Sequence, residues 1–155
     1  KIPVWGYLME LWLKDRIEEI FKNNPLSSMM DIRISALDVG EVTLTMPIAS
    51  EIHTNVYGFV HGGSLFTLVD SVMGIAGLTT GNLVVTSDIN IRFITNSKKG
   101  MLTASGRIIH KGKDHIITEA EIRDKRERLL VKAQGSYFIR GQITAADSQQ
   151  NEVTA

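Results

Sequence analysis

The stretch Asn55-Val56-Tyr57-Gly58-Phe59-Val60-His61-Gly62-Gly63-Ser64-Leu65-Phe66-Thr67-Leu68-Val69-Asp70-Ser71 is the most informative in the chain. A glycine pair opens a strongly apolar run. Leu65, Phe66, Leu68, Val69, Val72, Met73, Ile75 and Ala76 cover most of a helix's circumference, which predicts a buried helix over about residues 63–79. One carboxylate, Asp70, lies inside it. A buried helix carries an Asp at a cost unless the charge meets a partner or does chemistry. The glycines place bare backbone N–H groups at the positive end of the helix dipole. One segment thus offers donors for a developing oxyanion and a carboxylate on the second to third turn.

On either side of this helix the pattern changes. Residues 30–47 alternate as strands do, with Ile32 and Ile34, then Val42, Leu44 and Met46, turning near Asp38-Val39-Gly40-Glu41 and ending at Pro47. Residues 48–62 read as a loop, and Thr79-Thr80-Gly81-Asn82 closes the helix. Four strand patterns follow, over about residues 83–95, 101–112, 115–124 and 129–140, and the short loops between them predict antiparallel hairpins. Upstream, Leu8, Leu11, Trp12, Ile17, Ile20 and Phe21 recur at helical spacing over residues 6–23, stopped by Asn23-Asn24-Pro25. The mixed charges on its polar face favour a helix packed on the domain's edge over one lying on a membrane. This divides the chain into a helical extension (1–25), one folded domain (26–141) and a polar tail (142–155) expected to be flexible. A long antiparallel sheet needs a cover for its apolar face, and the apolar helix supplies it. The expected class is α+β, a sheet wrapped around a central helix.

Composition narrows the functions open to the chain. Its 155 residues suffice for one domain with a real core, and 43% hydrophobic and 22% charged residues are ordinary for a globular protein. Seventeen basic residues balance 17 acidic ones, so no global charge draws the chain to nucleic acid or to an acidic membrane. The lack of Cys excludes disulfides, thiolate metal sites and a Cys nucleophile. The four histidines, His53, His61, His110 and His115, show no metal-ligand spacing. No apolar run reaches membrane-spanning length, and no signal-peptide pattern is evident at the start, so a cytoplasmic location is the default expectation.

Asn55, Tyr57-Gly58, His61-Gly62-Gly63, Asp70-Ser71, the strand Thr86-Ser87-Asp88-Ile89-Asn90-Ile91-Arg92-Phe93, the turn His110-Lys111-Gly112-Lys113 and the last strand around Val131, Ala133, Gly135 and Tyr137 together resemble the hotdog-fold superfamily and, within it, the PaaI-like acyl-CoA thioesterases. The resemblance covers about residues 26–140. It implies a hotdog fold, hydrolysis of an acyl-CoA thioester to free acid and coenzyme A, and no cofactor beyond the coenzyme A that the substrate carries. It also implies a homodimer or homotetramer whose sites span the subunit interface, with Asp70 of one subunit facing Asn55, His61 and Gly62 of the other. Two further readings belong to the same fold. One is a non-catalytic acyl-CoA or lipid-binding module. The other is an enoyl-thioester hydratase, whose acid–base constellation His61 and Asp70 match poorly.

Each candidate residue has a catalytic and a structural reading. Asp70 is a general base or nucleophile, or else it caps a neighbouring element or joins an ion pair. Gly62 offers its N–H to the thioester oxygen, or the glycines only permit a tight turn. His61 bonds the substrate or shapes the turn. By the resemblance Asn55 orients the reacting groups, and Thr86 hydrogen-bonds the carboxylate or water; their plain readings are a turn residue and strand propensity. Gly63, Tyr57, Phe59, Phe66 and Met73, with Val69, are candidates for the substrate pocket, although an apolar helix stripe is more often core. Lys111 and Lys113, with Lys98, Lys99, Arg107 and the Lys125-Arg126-Arg128 cluster, are candidate cations for the coenzyme's phosphates, or else solvated turn charges.

Overall fold

The computed structural model describes residues 8–145, and most of the expected polar tail lies outside them. Two helices come first. α1 (Leu11–Lys22) buries Leu13 and Ile17, one turn apart on a single face. Asn23 ends it, and Asn24 caps α2 (Pro25–Met29), its Oδ1 accepting the Leu26 and Ser27 N–H groups at 3.1 and 3.2 Å. Pro25 stands at the start of α2, where a missing N–H costs nothing.

β1 (Arg33–Asp38) and β2 (Glu41–Pro47) form a hairpin around Val39 and Gly40. Gly40 has φ +79°, and its N–H donates to Thr79 Oγ1 at 2.8 Å, pinning the turn to the end of the central helix. The loop expected over 48–62 holds one short helix, α3 (Ser50–His53). α4 (Gly62–Leu78) is the long apolar helix, and β3 (Asn82–Phe93), β4 (Met101–Lys111), β5 (His115–Asp124) and β6 (Leu129–Gln142) follow it.

The six strands form one antiparallel sheet in the order β1-β2-β4-β5-β6-β3. α4 packs against β2 through β6, and Leu65, Leu68, Val69, Val72, Met73 and Ala76 are fully buried on it. β4 comes close because residue 106 is Gly: a Cβ there would stand 2.9 Å from the Val72 carbonyl oxygen. This is the expected α+β hotdog architecture.

One expectation fails. β3 and β4 are joined by a short link but do not pair; β3 lies at the far edge, against β6. The sheet curls around α4, so residues 94–100 can pass across the β5–β6 end, where Ile94 N–H bonds the Leu130 carbonyl at 2.8 Å. β3 is also bulged between Thr86 and Asp88. The bulge shifts which residues face inward. Before it, Val84 packs on Gly77 and Thr86 turns to Asp70; after it, Ile89 and Ile91 join the core and Phe93 faces Gly62.

Candidate active site

Asp70 is half-buried on α4 and faces the β3–β6 ladder. Thr86 Oγ1 donates to Asp70 Oδ1 at 2.8 Å. Tyr137 Oη donates to the same oxygen at 2.9 Å and lies 3.1 Å from the Asp70 carbonyl oxygen. Thr86 and Tyr137 are cross-strand partners, so the ladder register sets both hydroxyls side by side beneath the carboxylate. Asp70 Oδ2 accepts no hydrogen bond among the described residues. Burial first, then the charge and hydrogen bond of Asp70, push the Tyr137 phenol far above the usual tyrosine range, against a smaller opposing effect of Thr86. The phenol therefore stays protonated and serves as a donor. Sequence reasoning placed Tyr137 in the last strand without a role, and no spacing signal links it to a helix residue 67 positions away. A cleft of about 180 Å3 opens beside Asp70, with Phe21 of α1, Ile75 and Leu78 of α4 and Val84 of β3 among its walls.

The other end of α4 presents a different chemistry. His61 is its N-cap, with extended backbone (φ −64°, ψ 139°), and its Nδ1 accepts the Gly63 N–H at 2.9 Å. This bond requires Nδ1 to be the bare nitrogen of the ring. It also removes Gly63 from the expected set of free donors. The Gly62 N–H makes no hydrogen bond among the described residues. Gly62 does not have positive φ, and a Cβ there would meet only the Phe93 ring, at 3.5 Å. The unpaired backbone donor at this helix start, among the described residues, is therefore the Gly62 N–H.

Asn55 shapes the preceding loop. Its Oδ1 accepts the Tyr57 and Phe59 N–H groups at 3.0 and 3.2 Å, around Gly58 with φ +76°. Its side-chain amide N–H groups are not used in these bonds. Tyr57 is exposed, and Lys98 Nζ sits 4.2 Å over the Phe59 ring while bonding the Tyr57 carbonyl at 3.2 Å. Next to Phe59 is a second cleft of about 330 Å3, with Lys98, Lys99, Lys125, Arg126 and Arg128 on its walls. Phe66 is exposed on α4. Met73 and Val69 are fully buried, so neither lines an open pocket in this chain. Lys111 and Lys113 are exposed at the β4–β5 turn; register places Lys111 in the row of Ile116, Tyr137 and Thr86, three strand spacings or about 14 Å from Thr86.

The two ends are well separated. Eight helical residues, about 12 Å of axis, divide Gly62 from Asp70 of the same chain. No helix among the described residues is long and apolar enough to cross a membrane, and no group of three His, Asp or Glu among them could hold a metal ion.

Comparison with known proteins agrees with this fold. Residues 57–131 match the thioesterase superfamily. An esterase-family protein of Saccharolobus solfataricus is 32% identical over 126 residues, 79% of this chain and 89% of the relative. The acyl-coenzyme A thioesterase PaaI of Escherichia coli is 28% identical over 127 residues, covering 81% of this chain and 90% of its own. The solved PaaI structure superposes with a TM-score of 0.82 at 25% identity, over 88% of this chain and 99% of that one. A hypothetical thioesterase protein of Streptococcus pneumoniae, solved with coenzyme A, gives 0.70 at 29% identity, over 73% and 91%. Two variant structures of that protein replace a Thr and an Asp by Ala at positions sixteen apart, the separation of Thr86 and Asp70 here. The chain belongs to the thioesterase, or hotdog, superfamily, and its relatives include PaaI-like proteins.

Proposed function

We propose that this protein hydrolyses an acyl-CoA thioester to the free acid and coenzyme A. The observation that carries the reading is the state of Asp70: one oxygen is held by two hydroxyl donors, the other is unpaired among the described residues, and the group opens onto a cleft. In such a setting Oδ2 either takes a proton from an attacking water or attacks the thioester carbon itself. The free Gly62 N–H at the start of α4 polarises the carbonyl oxygen and stabilises the negative charge that grows on it. The thiolate of coenzyme A then leaves; on the nucleophile route water next hydrolyses the acyl–Asp70 anhydride, which releases the free acid and restores the carboxylate.

These two groups cannot serve one carbonyl from within one chain. A donor must stand about 3 Å from the oxyanion and an attacking atom about 3–3.5 Å from the carbon, whereas about 12 Å of helix separates them. A site shared by two chains resolves this. The edge position of β3 supports such pairing: among the described residues one side of this twelve-residue strand is unpaired, and Leu83, Val85 and Phe93 are exposed on it, with Ile94 exposed just beyond its end. The proposed homo-oligomer sets Asp70 of one subunit against Gly62, His61 and Asn55 of its partner. The cations around Phe59 lie on the Gly62 side and suit the coenzyme's phosphates better than Lys111 and Lys113 do. That relatives of this chain were solved with coenzyme A and with acetyl CoA supports the substrate class.

The test is release of free thiol from a panel of acyl-CoAs by the wild type and by Asp70→Asn. The variant keeps shape and size but loses the base or nucleophile, so turnover should fall by at least ~10². Wild-type-like turnover in a folded variant would remove Asp70 from the mechanism. Binding without thiol release by the wild type would favour the non-catalytic module.

A further inference from the structure

The cleft beside Asp70 runs along α4. Asp70, Gly74 and Leu78 form one stripe of its wall and Ser71 and Ile75 the next, so it extends about 12 Å from the carboxylate toward the end of the helix. Val84 and Thr86 of β3 and Tyr137 of β6 also line it, but the remaining wall is not part of the sheet. It comes from the amino-terminal segment, with Ile20 and Phe21 at the end of α1 and Asn24 and Ser27 around the cap of α2. α1 is seated by Leu13 and Ile17, which are buried in the core, and Phe21 packs against that core from the cleft side. A group bonded to a carbonyl carbon held at Asp70 has this cleft to enter.

We infer that Phe21 and Ile20 of α1 close the acyl pocket and set the size of the acyl group, making the enzyme selective for compact acyl groups with about the volume of one ring. This rests on the thioesterase reading above. The cleft holds about 180 Å3 and is walled by Ile20, Phe21, Ile75, Leu78 and Val84. An apolar cavity of about 150 Å3 accommodates benzene, and sites for much larger ligands begin at about 300 Å3. A short aliphatic chain or a single ring fits; a long chain meets Phe21.

The test measures kcat/KM for acetyl-, hexanoyl-, phenylacetyl- and dodecanoyl-CoA, and in parallel the calorimetric affinity of S-hexyl- and S-dodecyl-CoA, thioethers that cannot be hydrolysed. Phe21→Ala opens the wall and should raise the dodecanoyl-to-hexanoyl ratio by at least ~10-fold, the lower scale for an apolar pocket change. Gly74→Ala narrows the cleft from the opposite side. Its Cβ would stand 3.5 Å from the Tyr137 ring, an ordinary contact, so the fold tolerates it and the inference stays testable if Phe21→Ala unfolds. It should lower the hexanoyl-to-acetyl ratio. Thiol release with chain-length ratios that neither variant moves would overturn the inference and leave the thioesterase reading standing. Thioether affinities that shift with both variants, without any hydrolysis, would leave the pocket assignment standing and remove the thioesterase reading. Absence of both hydrolysis and thioether binding would overturn both.

Discussion

Tyr137 and Thr86 face each other across the β6–β3 ladder, and both hydroxyls donate to the same oxygen of Asp70, at 2.9 and 2.8 Å. The arrangement fixes the carboxylate's rotation and leaves Oδ2 as the atom available for chemistry. On the proposed thioesterase reading Tyr137 is a positioning residue, which acts through Asp70 rather than on the substrate.

Tyr137→Phe should therefore lower kcat with little change in KM. A hydrogen bond to a charged group is worth about 1.5–3 kcal/mol, which corresponds to at least ~10-fold in rate. Thr86→Ser keeps the second hydroxyl and should retain activity, whereas Thr86→Ala combined with Tyr137→Phe should lose more than either alone. An unchanged kcat in Tyr137→Phe would show that the bond is only structural.

The same phenol makes stability sensitive to alkali. In the unfolded chain a tyrosine ionises near pH ~10, while the folded chain holds the Tyr137 proton to higher pH. Above pH ~10 the unfolded state binds fewer protons, so the stabilisation, fully present below that pH, declines as pH rises. Between about pH 9 and 11 the Tm of the wild type should fall more steeply than that of Tyr137→Phe. Parallel Tm curves would contradict the assignment of a protonated, buried phenol.

Gly62→Pro is the cleanest removal of the proposed oxyanion donor. Position 62 begins α4, where proline is favoured, and His61 already has the extended backbone that precedes a proline. The N–H that disappears has no partner among the described residues, so the Tm should hold. Turnover should fall by about 2.7–4 kcal/mol in barrier, or ~10²–10³-fold. Full turnover in this variant would mean that the carbonyl is held elsewhere.

The sheet wrapped on a central helix was legible because its signals are local. The apolar run from Leu65 to Ala76 has one reading at that length, and β2, β4 and β5 alternate cleanly between inside and outside. The pairing of β3 with β6 was not legible, because a short link ordinarily joins neighbours and only the curl of the sheet around α4 undoes that rule. The bulge at Thr86 was hidden too, since strand periodicity does not announce where it slips. In the site, Asp70 and Gly62 stood out through the lone carboxylate and the glycine pair, and Thr86 only through the family resemblance. Tyr137 did not, because its partnership with Asp70 exists only in the folded register. Gly63 looked like a free donor until the His61 side chain was seen to use it, and α1 gave no sign in its own sequence that it walls a cleft beside the carboxylate.

In the proposed reaction centre Asp70 and the Gly62 turn come from different chains, which subunit mixing can establish or refute. Asp70→Asn and Asn55→Ala, the second disrupting the loop beside the Gly62 turn, are each first shown to be folded and inactive, then mixed in equal amounts and allowed to exchange. Half of the dimers become mixed, each with one intact site of two, so activity should return to about a quarter of the wild-type value. No recovery after mass spectrometry has verified the exchange would contradict the shared site.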